Sequence, residues 1–355
     1  PMVIEELAGS RGEAPALLPD EESLSYRRLA GRANRYARWA LAHGVEKGEA
    51  VCLLMPNCPE YLAIWLGITR AGGIVALLNT HLVGESLAHC VALAAPKHVI
   101  VAAELEEKLR SAFVGRPLKA VVWVYGAGRK LAETYCEGTL SETECPPPSI
   151  EDKALYIYTS GTTGLPKAAN MSHYRIMQWA LWFAGLMGMA PEDRMYNCLP
   201  MYHSVGGIVA TGAVLAAGGS MVVREGFSAS RFWDEVVRWE CTLFQYIGEL
   251  CRYLLHAPPS AAEAAHHIRL CCGNGLQPDV WEPFQARFRI PQILEFYAST
   301  EGNVSLYNVE GQPGAIGRIP PFLVHRFPIA LVRFDVERNE PVRDVEGRCI
   351  RCAPN

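Results

Sequence analysis

Tyr158-Thr159-Ser160-Gly161-Thr162-Thr163-Gly164-Leu165-Pro166-Lys167 is the stretch that organises the reading of this chain. Thr159, Ser160, Thr162 and Thr163 offer hydroxyl donors, Gly161 and Gly164 let a backbone approach an anion closely, and Lys167 adds a positive charge at the far end. The pattern is not a Walker A loop, which needs four residues between its glycines and a Gly-Lys-Ser/Thr ending. Here two residues separate Gly161 from Gly164, and Pro166 precedes the lysine. Taken alone, such a cluster reads as a flexible loop with a solvated lysine. The apolar run Ala154-Leu155-Tyr156-Ile157-Tyr158 ahead of it reads as a strand that delivers the loop at its carboxyl end. Open α/β sheets hold their ligands at that edge.

Working upstream, helical and strand-like segments alternate, as in an α/β fold with a largely parallel sheet. Leu29, Ala33, Tyr36 and Ala40 share one face of a helix from Tyr26 to His43, with Gly44 as its stop. Ala50 to Met55 reads as a buried strand, and Pro59 opens the next helix, which Gly72-Gly73 ends before the strand Ile74 to Leu78. A helix near Glu85 to Ala94 leads to a strand at His98 to Ala102, and a charged helix precedes the strand Ala120 to Tyr125. Glu142 to Ile150, with Pro146-Pro147-Pro148, reads as a linker. After Arg318 short alternating runs such as Ile329 to Phe334 suggest a β-rich region. The expected division is a first α/β unit over 1–150, a second over 151–318, and the start of a β-rich unit over 319–355.

Of the 355 residues, 50% are hydrophobic and 20% charged, the balance of a globular chain and not of a disordered one. A net charge of −4 with no long basic run gives no argument for nucleic acid. The 12 cysteines are scattered without a disulfide framework or secretory leader, so reduced thiols in a cytoplasmic setting are expected. Cys349 and Cys352 have C-x-x-C spacing but no second pair, and Cys271-Cys272 reads as buried strand. Gly206 to Val223 is apolar but carries five glycines, which makes it a poor membrane span. A core helix ending at Gly218-Gly219 before the strand Ser220 to Val223 fits it better.

Three downstream segments carry candidate chemistry. In Leu199-Pro200-Met201-Tyr202-His203-Ser204 the histidine stands before the small-residue run Ser204-Val205-Gly206-Gly207 and reads either as a structural group or as a contact for a reacting acid. Gly273-Asn274-Gly275 reads as a β-turn or as a ligand loop at a strand end. Glu295-Phe296-Tyr297-Ala298-Ser299-Thr300-Glu301-Gly302-Asn303 places a hydroxyl and a carboxylate side by side, either a helix N-terminal pair or oxygen ligands for a hard cation. Trp179, Trp182, Phe183 and Met187 lie at near-helical spacing, as core packing or as an acyl-pocket wall.

These four segments, in this order, resemble the adenylate-forming superfamily of acyl-CoA synthetases, luciferases and peptide-synthetase adenylation domains. The resemblance implies two mostly parallel βαβ subdomains sandwiching helices, followed by a β-rich subdomain and a mobile C-terminal domain. It implies that Thr159, Ser160, Gly161, Thr162, Thr163, Gly164 and Lys167 cradle the β- and γ-phosphates of ATP. Gly273, Asn274 and Gly275 would pack on adenine, Tyr297 would stack on it, Thr300 would touch the α-phosphate, Glu301 would bind Mg2+, and His203 would lie beside the acyl carboxylate. Lys167, His203, Thr300 and Glu301 are thus the expected catalytic set. Ala298 departs from the glycine usual after the aromatic and restricts the backbone there.

Tyr246 to Leu255, Asn274 to Phe284 and Glu301-Gly302-Asn303 are similar to the fatty acid transport protein, or very-long-chain acyl-CoA synthetase, branch. That branch implies ATP-dependent activation of a long or very long fatty acid to acyl-adenylate and then acyl-CoA, with fatty acid, ATP and CoA as partners and no nucleic acid. Bile acids, carnitine-like acids or medium-chain acids are the substrate alternatives. The resemblance also admits peripheral membrane association and a homodimer. It leads us to expect a ribose-binding Thr-Gly-Asp motif and the lysine-bearing mobile domain beyond Asn355, so that this stretch alone binds ATP and acid but turns over poorly. A non-enzymatic lipid-binding or uptake protein on the same fold is the competing reading, and the glycine spacing argues against a P-loop nucleotidase.

Overall fold

The computed structural model describes residues 1–20, 23–159, 164–302, 304–327 and 329–353. Strand Ala50–Leu54 shows how its layers are set. Val51 and Leu53 point into one apolar cluster and Ala50, Cys52 and Leu54 into another, because successive strand residues face opposite sides. A strand buried on both faces reads as a continuous apolar run, as it does here. Six strands form the first sheet in the order Val121–Tyr125, His98–Ala102, Ala50–Leu54, Ile74–Leu77, Lys153–Thr159, Lys167–Ser172. All its pairs are parallel except the last, a hairpin.

The second sheet has eight strands, in the order Leu306–Asn308, Gln292–Tyr297, Leu270–Asn274, Leu243–Ile247, Arg194–Asn197, Ser220–Val223, Pro15–Leu18, Leu24–Ser25, with antiparallel pairs only at its two ends. The two inner sheet faces share a cluster that includes Leu53, Leu77 and Ile157 from the first, and Leu17, Met195 and Leu294 from the second. Between them lie helices Tyr26–Ala42 and Pro59–Arg70, with His173–Leu186 and Thr211–Ala216 packed together alongside. Ser25 caps the first of these by accepting from Arg28 N at 3.3 Å, and Pro59 begins the second with its φ already helical. Helices Gly84–Ala94 and Glu106–Ala112 cover the outer face of the first sheet, and Phe232–Arg238, Gly248–His256 and Pro278–Phe288 that of the second. Two sheets sandwiching helices are therefore what the resemblance led us to expect.

The sheets do not divide at residue 150. Hairpin Lys153–Ser172 completes the first sheet, with Leu155 opposite Val75, while Pro15–Leu18 crosses over to pair with Ser220–Val223. Both strands are largely buried, so apolar burial takes each to the sheet that covers it. The proline-rich stretch before the hairpin is tied down by Arg38–Glu144 at 2.7 Å and by Arg70 Nη1 donating to Cys145 O at 3.1 Å. The alternation at Ile329 to Phe334 yields a lone bridge at Val332 and a two-residue strand, Phe334–Asp335 paired with Glu340–Pro341. Its apolar residues Leu331 and Phe334 are exposed, so no second layer rewards a longer strand. Cys271 and Cys272 are buried strand residues, and among the described residues no helix is long and apolar enough to cross a membrane.

Candidate active site

In the second sheet, strand Arg194–Asn197 has Ser220–Val223 on one side and Leu243–Ile247 on the other. The chain leaving it runs toward Ser220–Val223 while the chain leaving its other neighbour, Leu243–Ile247, runs the opposite way to Leu270–Asn274, which opens a crevice where such sheets take ligands. Cys198 to Ser204 emerges into that crevice. His203 N donates to Pro200 O at 3.2 Å, Gly207 N donates to His203 O at 2.8 Å, and Val205–Ala210 continues as a π-helix. Wide turns of this kind concentrate at functional sites. The glycines permit it: a Cβ on Gly206 would stand 2.6 Å from Pro200 O, and one on Gly207 would run into Met201 O. His203 is exposed at the crevice, its ring 4.7 Å from that of Tyr202. The surrounding walls still withdraw enough water to lower its pKa below the ordinary imidazole value.

Strand Gln292–Tyr297 brings the second set of groups to the same edge. Phe296 is buried, and Tyr297, the next residue on the pleat, is 57% exposed. Beyond it, Thr300 Oγ1 lies 3.0 Å from Ser204 Oγ, which joins the Thr300-Glu301 segment to the histidine loop. Arg175, near the start of helix His173–Leu186, holds this segment from behind: Nη2 donates to Thr300 O at 2.8 Å and also to Gly302 O. Burial lowers the pKa of this guanidinium, and the Glu301 carboxylate opposes the shift. Glu301 itself is exposed.

Gly273 and Asn274 do not form a hairpin turn. They end the parallel strand Leu270–Asn274, opposite Tyr246 and Ile247, and the chain turns after them at Gly275, whose φ is +78°. A Cβ on Gly273 would collide with Tyr246 O, so the close approach of two strands, and not a turn, requires that glycine. The loop is fixed by Glu295, whose Oε1 accepts from Leu276 N at 3.1 Å and Oε2 from Tyr246 Oη at 2.5 Å. Burial raises the Glu295 pKa, against the pull of these hydrogen bonds. Asn274 Oδ1 is buried with no hydrogen-bond partner among the described residues. An orphaned acceptor of this kind is a ligand signal, because burying it unpaired costs about 1–3 kcal/mol.

Across the crevice, Thr159 faces Lys167 at the tip of the first sheet's hairpin. Tyr158 Oη donates to Cys90 O at 2.6 Å and His89 Nε2 to Pro166 O at 3.0 Å, so helix Gly84–Ala94 anchors both arms. Gly164 has φ +138°, a conformation that favours glycine. Ser160, Gly161, Thr162 and Thr163, and Asn303 of the branch motif, lie outside the described residues. Lys167 is exposed, and among the described residues no hydrogen bond joins it to Thr300 or Glu301. Of the sequence-expected residues, the structure links His203's loop to Thr300 and Glu301, sets Asn274 beside the strand carrying Tyr297, and keeps Lys167 on the opposite sheet.

Sequence reading missed Arg175 and Glu295. Each had a signal: Glu295 is a lone carboxylate in the apolar run Ile293-Leu294-Glu295-Phe296, and Arg175 a lone cation opening an apolar helix. Of the proposed acyl wall, Phe183 and Met187 are core, Trp182 packs on Tyr307 at 5.8 Å, and Trp179 lies 5.2 Å from the Arg175 guanidinium. A different face of that helix, with Ile176, Met177 and Ala180, lines an apolar cavity of about 220 Å³, with Ile208 and Leu215 opposite.

The histidine loop and the Thr-Glu segment meet at one crevice of a fold shared with the adenylate-forming enzymes. The chain belongs to that class: the family model for AMP-binding enzymes matches residues 4–347. Within it, the homologues are long-chain fatty acid transport proteins and fatty-acid–CoA ligases. Long-chain fatty acid transport protein 1 of Mus musculus is 38% identical over 100% of this chain and 57% of its own length. The medium/long-chain-fatty-acid–CoA ligase FadD6 of Mycobacterium tuberculosis is 36% identical over 98% of this chain and 58% of its own. The chain thus spans little more than half the length of these relatives. Among solved structures, ATP-bound MatB from Rhodopseudomonas palustris is 27% identical with TM-score 0.79, covering 93% of this chain and 65% of that one. The anthranilate CoA ligase AuaEII, at 21% identity and TM-score 0.83 over 96% of this chain and 67% of its own, shares the fold.

Proposed function

We propose that the protein activates a long-chain fatty acid with ATP, forming acyl-adenylate and then acyl-CoA. The observation that carries this reading is the 3.0 Å link between Ser204 and Thr300, which sets His203 and the Thr300-Glu301 pair around one crevice. In the first step a carboxylate oxygen bonds to the α-phosphorus and pyrophosphate leaves with the electron pair of the broken P–O bond. In the second, the thiol of CoA displaces AMP from the acyl carbon. Lowered in pKa, His203 is neutral at pH 7 and orients the acid by a hydrogen bond, not by charge. Thr300 offers its hydroxyl to the α-phosphate, Tyr297 an exposed ring to adenine, and Asn274 Oδ1 an acceptor to the adenine amino group. Thr159, Ser160, Gly161, Thr162, Thr163, Gly164, Gly273 and Gly275 bring backbone and hydroxyl groups to the nucleotide, and Lys167 offsets the charge of the phosphates.

The donor set around Glu301 fits magnesium. One exposed carboxylate beside the Thr300 hydroxyl suits a hard cation that keeps its waters and shares phosphate oxygens, and among the described residues no three His, Cys, Asp or Glu form a metal cage. Magnesium bound by Glu301 supplies charge neutralisation at the phosphates. The cavity beside the π-helix supports an acyl tail as the ligand, because its lining is mostly apolar and offers a methylene chain contacts with Ile176, Met177, Ile208 and Leu215.

Fatty-acid-dependent exchange of labelled pyrophosphate into ATP by the full-length protein tests the reading. Exchange is expected to fall by about 10²- to 10³-fold in Glu301→Ala and by a similar factor in Lys167→Ala, the scale of removing a group that stabilises transition-state charge. The transport names of the relatives favour a second reading, a non-catalytic fatty-acid carrier. That reading requires fatty-acid binding with no exchange in any variant.

A further inference from the structure

The switch-point crevice of the second sheet has a counterpart in the first, and one side chain joins the two. Strand Ala50–Leu54 is flanked by Ile74–Leu77 and His98–Ala102, so the first sheet also reverses its strand order there, and Met55-Pro56-Asn57-Cys58 leaves its carboxyl end. Pro56 and Pro59 bracket Asn57 and fix the backbone on both sides of it. The Asn57 carboxamide is 8% exposed and makes three hydrogen bonds, all to the second sheet's loops. Nδ2 donates to Leu199 O at 2.8 Å and to Arg224 O at 3.0 Å, and Oδ1 accepts from Met201 N at 2.8 Å.

Of those partners, Arg224 follows the neighbouring strand Ser220–Val223, and the other two, Leu199 and Met201, are backbone of the histidine loop. Its other internal brace is Asn197, whose Oδ1 accepts from Leu199 N at 3.1 Å and whose Nδ2 donates to Gly206 O at 3.0 Å. Asn197 closes the loop from Cys198 to Val205 on itself and fixes its shape. The Asn57 bonds tie that shape to the first sheet, which carries Lys167, and a side-chain hydrogen bond between Tyr202 and Thr80, just beyond strand Ile74–Leu77, adds a second tie. Both donors and the acceptor of the amide are used, and no hydrophobic contact reproduces that directionality. Any shift of Leu199 to Met201 reaches His203 through its bond to Pro200 O, and reaches Thr300 through Ser204.

We propose that Asn57 is a positioning residue for acid activation: its carboxamide sets where His203 and Ser204 stand relative to Thr300 and to the phosphate hairpin of the other sheet. Nothing reacts at Asn57; it acts through the loop. The proposal rests on the acyl-activating reading above. A displacement near 1 Å at a reacting centre costs on the order of 10²-fold in rate, so loss of the brace weighs on turnover more than on nucleotide binding.

The test compares Asn57→Ala and Asn57→Asp with a control, Asn34→Ala, in the full-length protein. Asp keeps the size of Asn but sets a carboxylate against two carbonyl oxygens, and serves if Ala folds poorly. Asn34 is 3% exposed and donates to Glu137 O at 3.0 Å, remote from the crevice, so it measures the effect of losing a buried amide as such. Fatty-acid-dependent pyrophosphate exchange should fall about 10- to 100-fold in kcat in both Asn57 variants, with KM for ATP changed less than about threefold. Amide hydrogen exchange in the free protein should accelerate in the peptide covering Cys198 to Gly207 for the Asn57 variants alone. The proposal is overturned if the Asn57 variants match Asn34→Ala in kcat, or if the loop's hydrogen exchange is unmoved. Wild-type protein that binds ATP and fatty acid but exchanges no pyrophosphate overturns the acyl-activating reading itself, and this proposal with it.

Discussion

The first sheet reverses its strand order at Ala50–Leu54 and the second at Arg194–Asn197, yet the two crevices carry different groups. At the second, a histidine and a hydroxyl from the loop after Arg194–Asn197 meet a hydroxyl, a carboxylate and an exposed tyrosine from the end of Gln292–Tyr297 and the segment beyond it. At the first, the loop ends in Asn57, whose polar atoms are all spent on the other sheet. The same βαβ construction thus yields a reacting edge and a bracing edge. What separates them is where buried polar groups find partners: on the reacting edge Asn274 Oδ1 is left unpaired, and on the bracing edge nothing comparable remains at Asn57.

The sharpest way to break this contrast is to weaken the reacting edge from behind. Arg175→Met removes the donor from Thr300 O and Gly302 O and is expected to lower the kcat of pyrophosphate exchange by about 100-fold, with Arg175→Lys intermediate because an ammonium cannot reproduce the planar fork. An Arg175→Met enzyme with unchanged kcat would place the Thr300 segment outside the chemistry. A smaller effect is expected at Gly207, where a Cβ would meet Met201 O. Gly207→Ala should lower unfolding stability by about 1–3 kcal/mol in urea titrations, the range for overpacking, and a neutral result would show that the π-helix can move off the loop.

The smallest effect concerns Glu295. Burial raises its native pKa above the ordinary 4.5, so the folded state holds a proton that the unfolded chain has released. Its contribution to stability is full below the unfolded value and is lost as pH rises through the raised native value. Glu295→Gln, which keeps the shape and removes the titration, should flatten the fall in melting temperature over that window. A wild-type melting curve already flat there would show that the Tyr246 and Leu276 bonds outweigh desolvation.

Reading by sequence succeeded where periodicity and motif agree. His98–Ala102 was placed to the residue, and helix Tyr26–Ala42 was placed to within one, because apolar burial and a capping serine mark them. Two of the four motifs meet directly, through Ser204 and Thr300. Sequence could not show that Pro15–Leu18 joins the far sheet, since four apolar residues pair equally well with any parallel neighbour. Nor could it show that Gly273 is held to glycine by the backbone of Tyr246, a residue 27 positions away in sequence order that only folding brings close. Arg175 and Asn57 were passed over for the same reason. Their partners are main-chain carbonyl and amide groups at distant positions, which leave no trace in residue type.

The central claim is that one crevice joins ATP and a fatty acid through an acyl-adenylate, and the most direct measurement is pyrophosphate exchange by the full-length protein across a panel of acids from short to very long. The account predicts exchange that depends on the acid, rises with acyl length into the long-chain range and disappears in Glu301→Ala. Exchange independent of added acid, or fatty-acid binding with no exchange at any chain length, would contradict it.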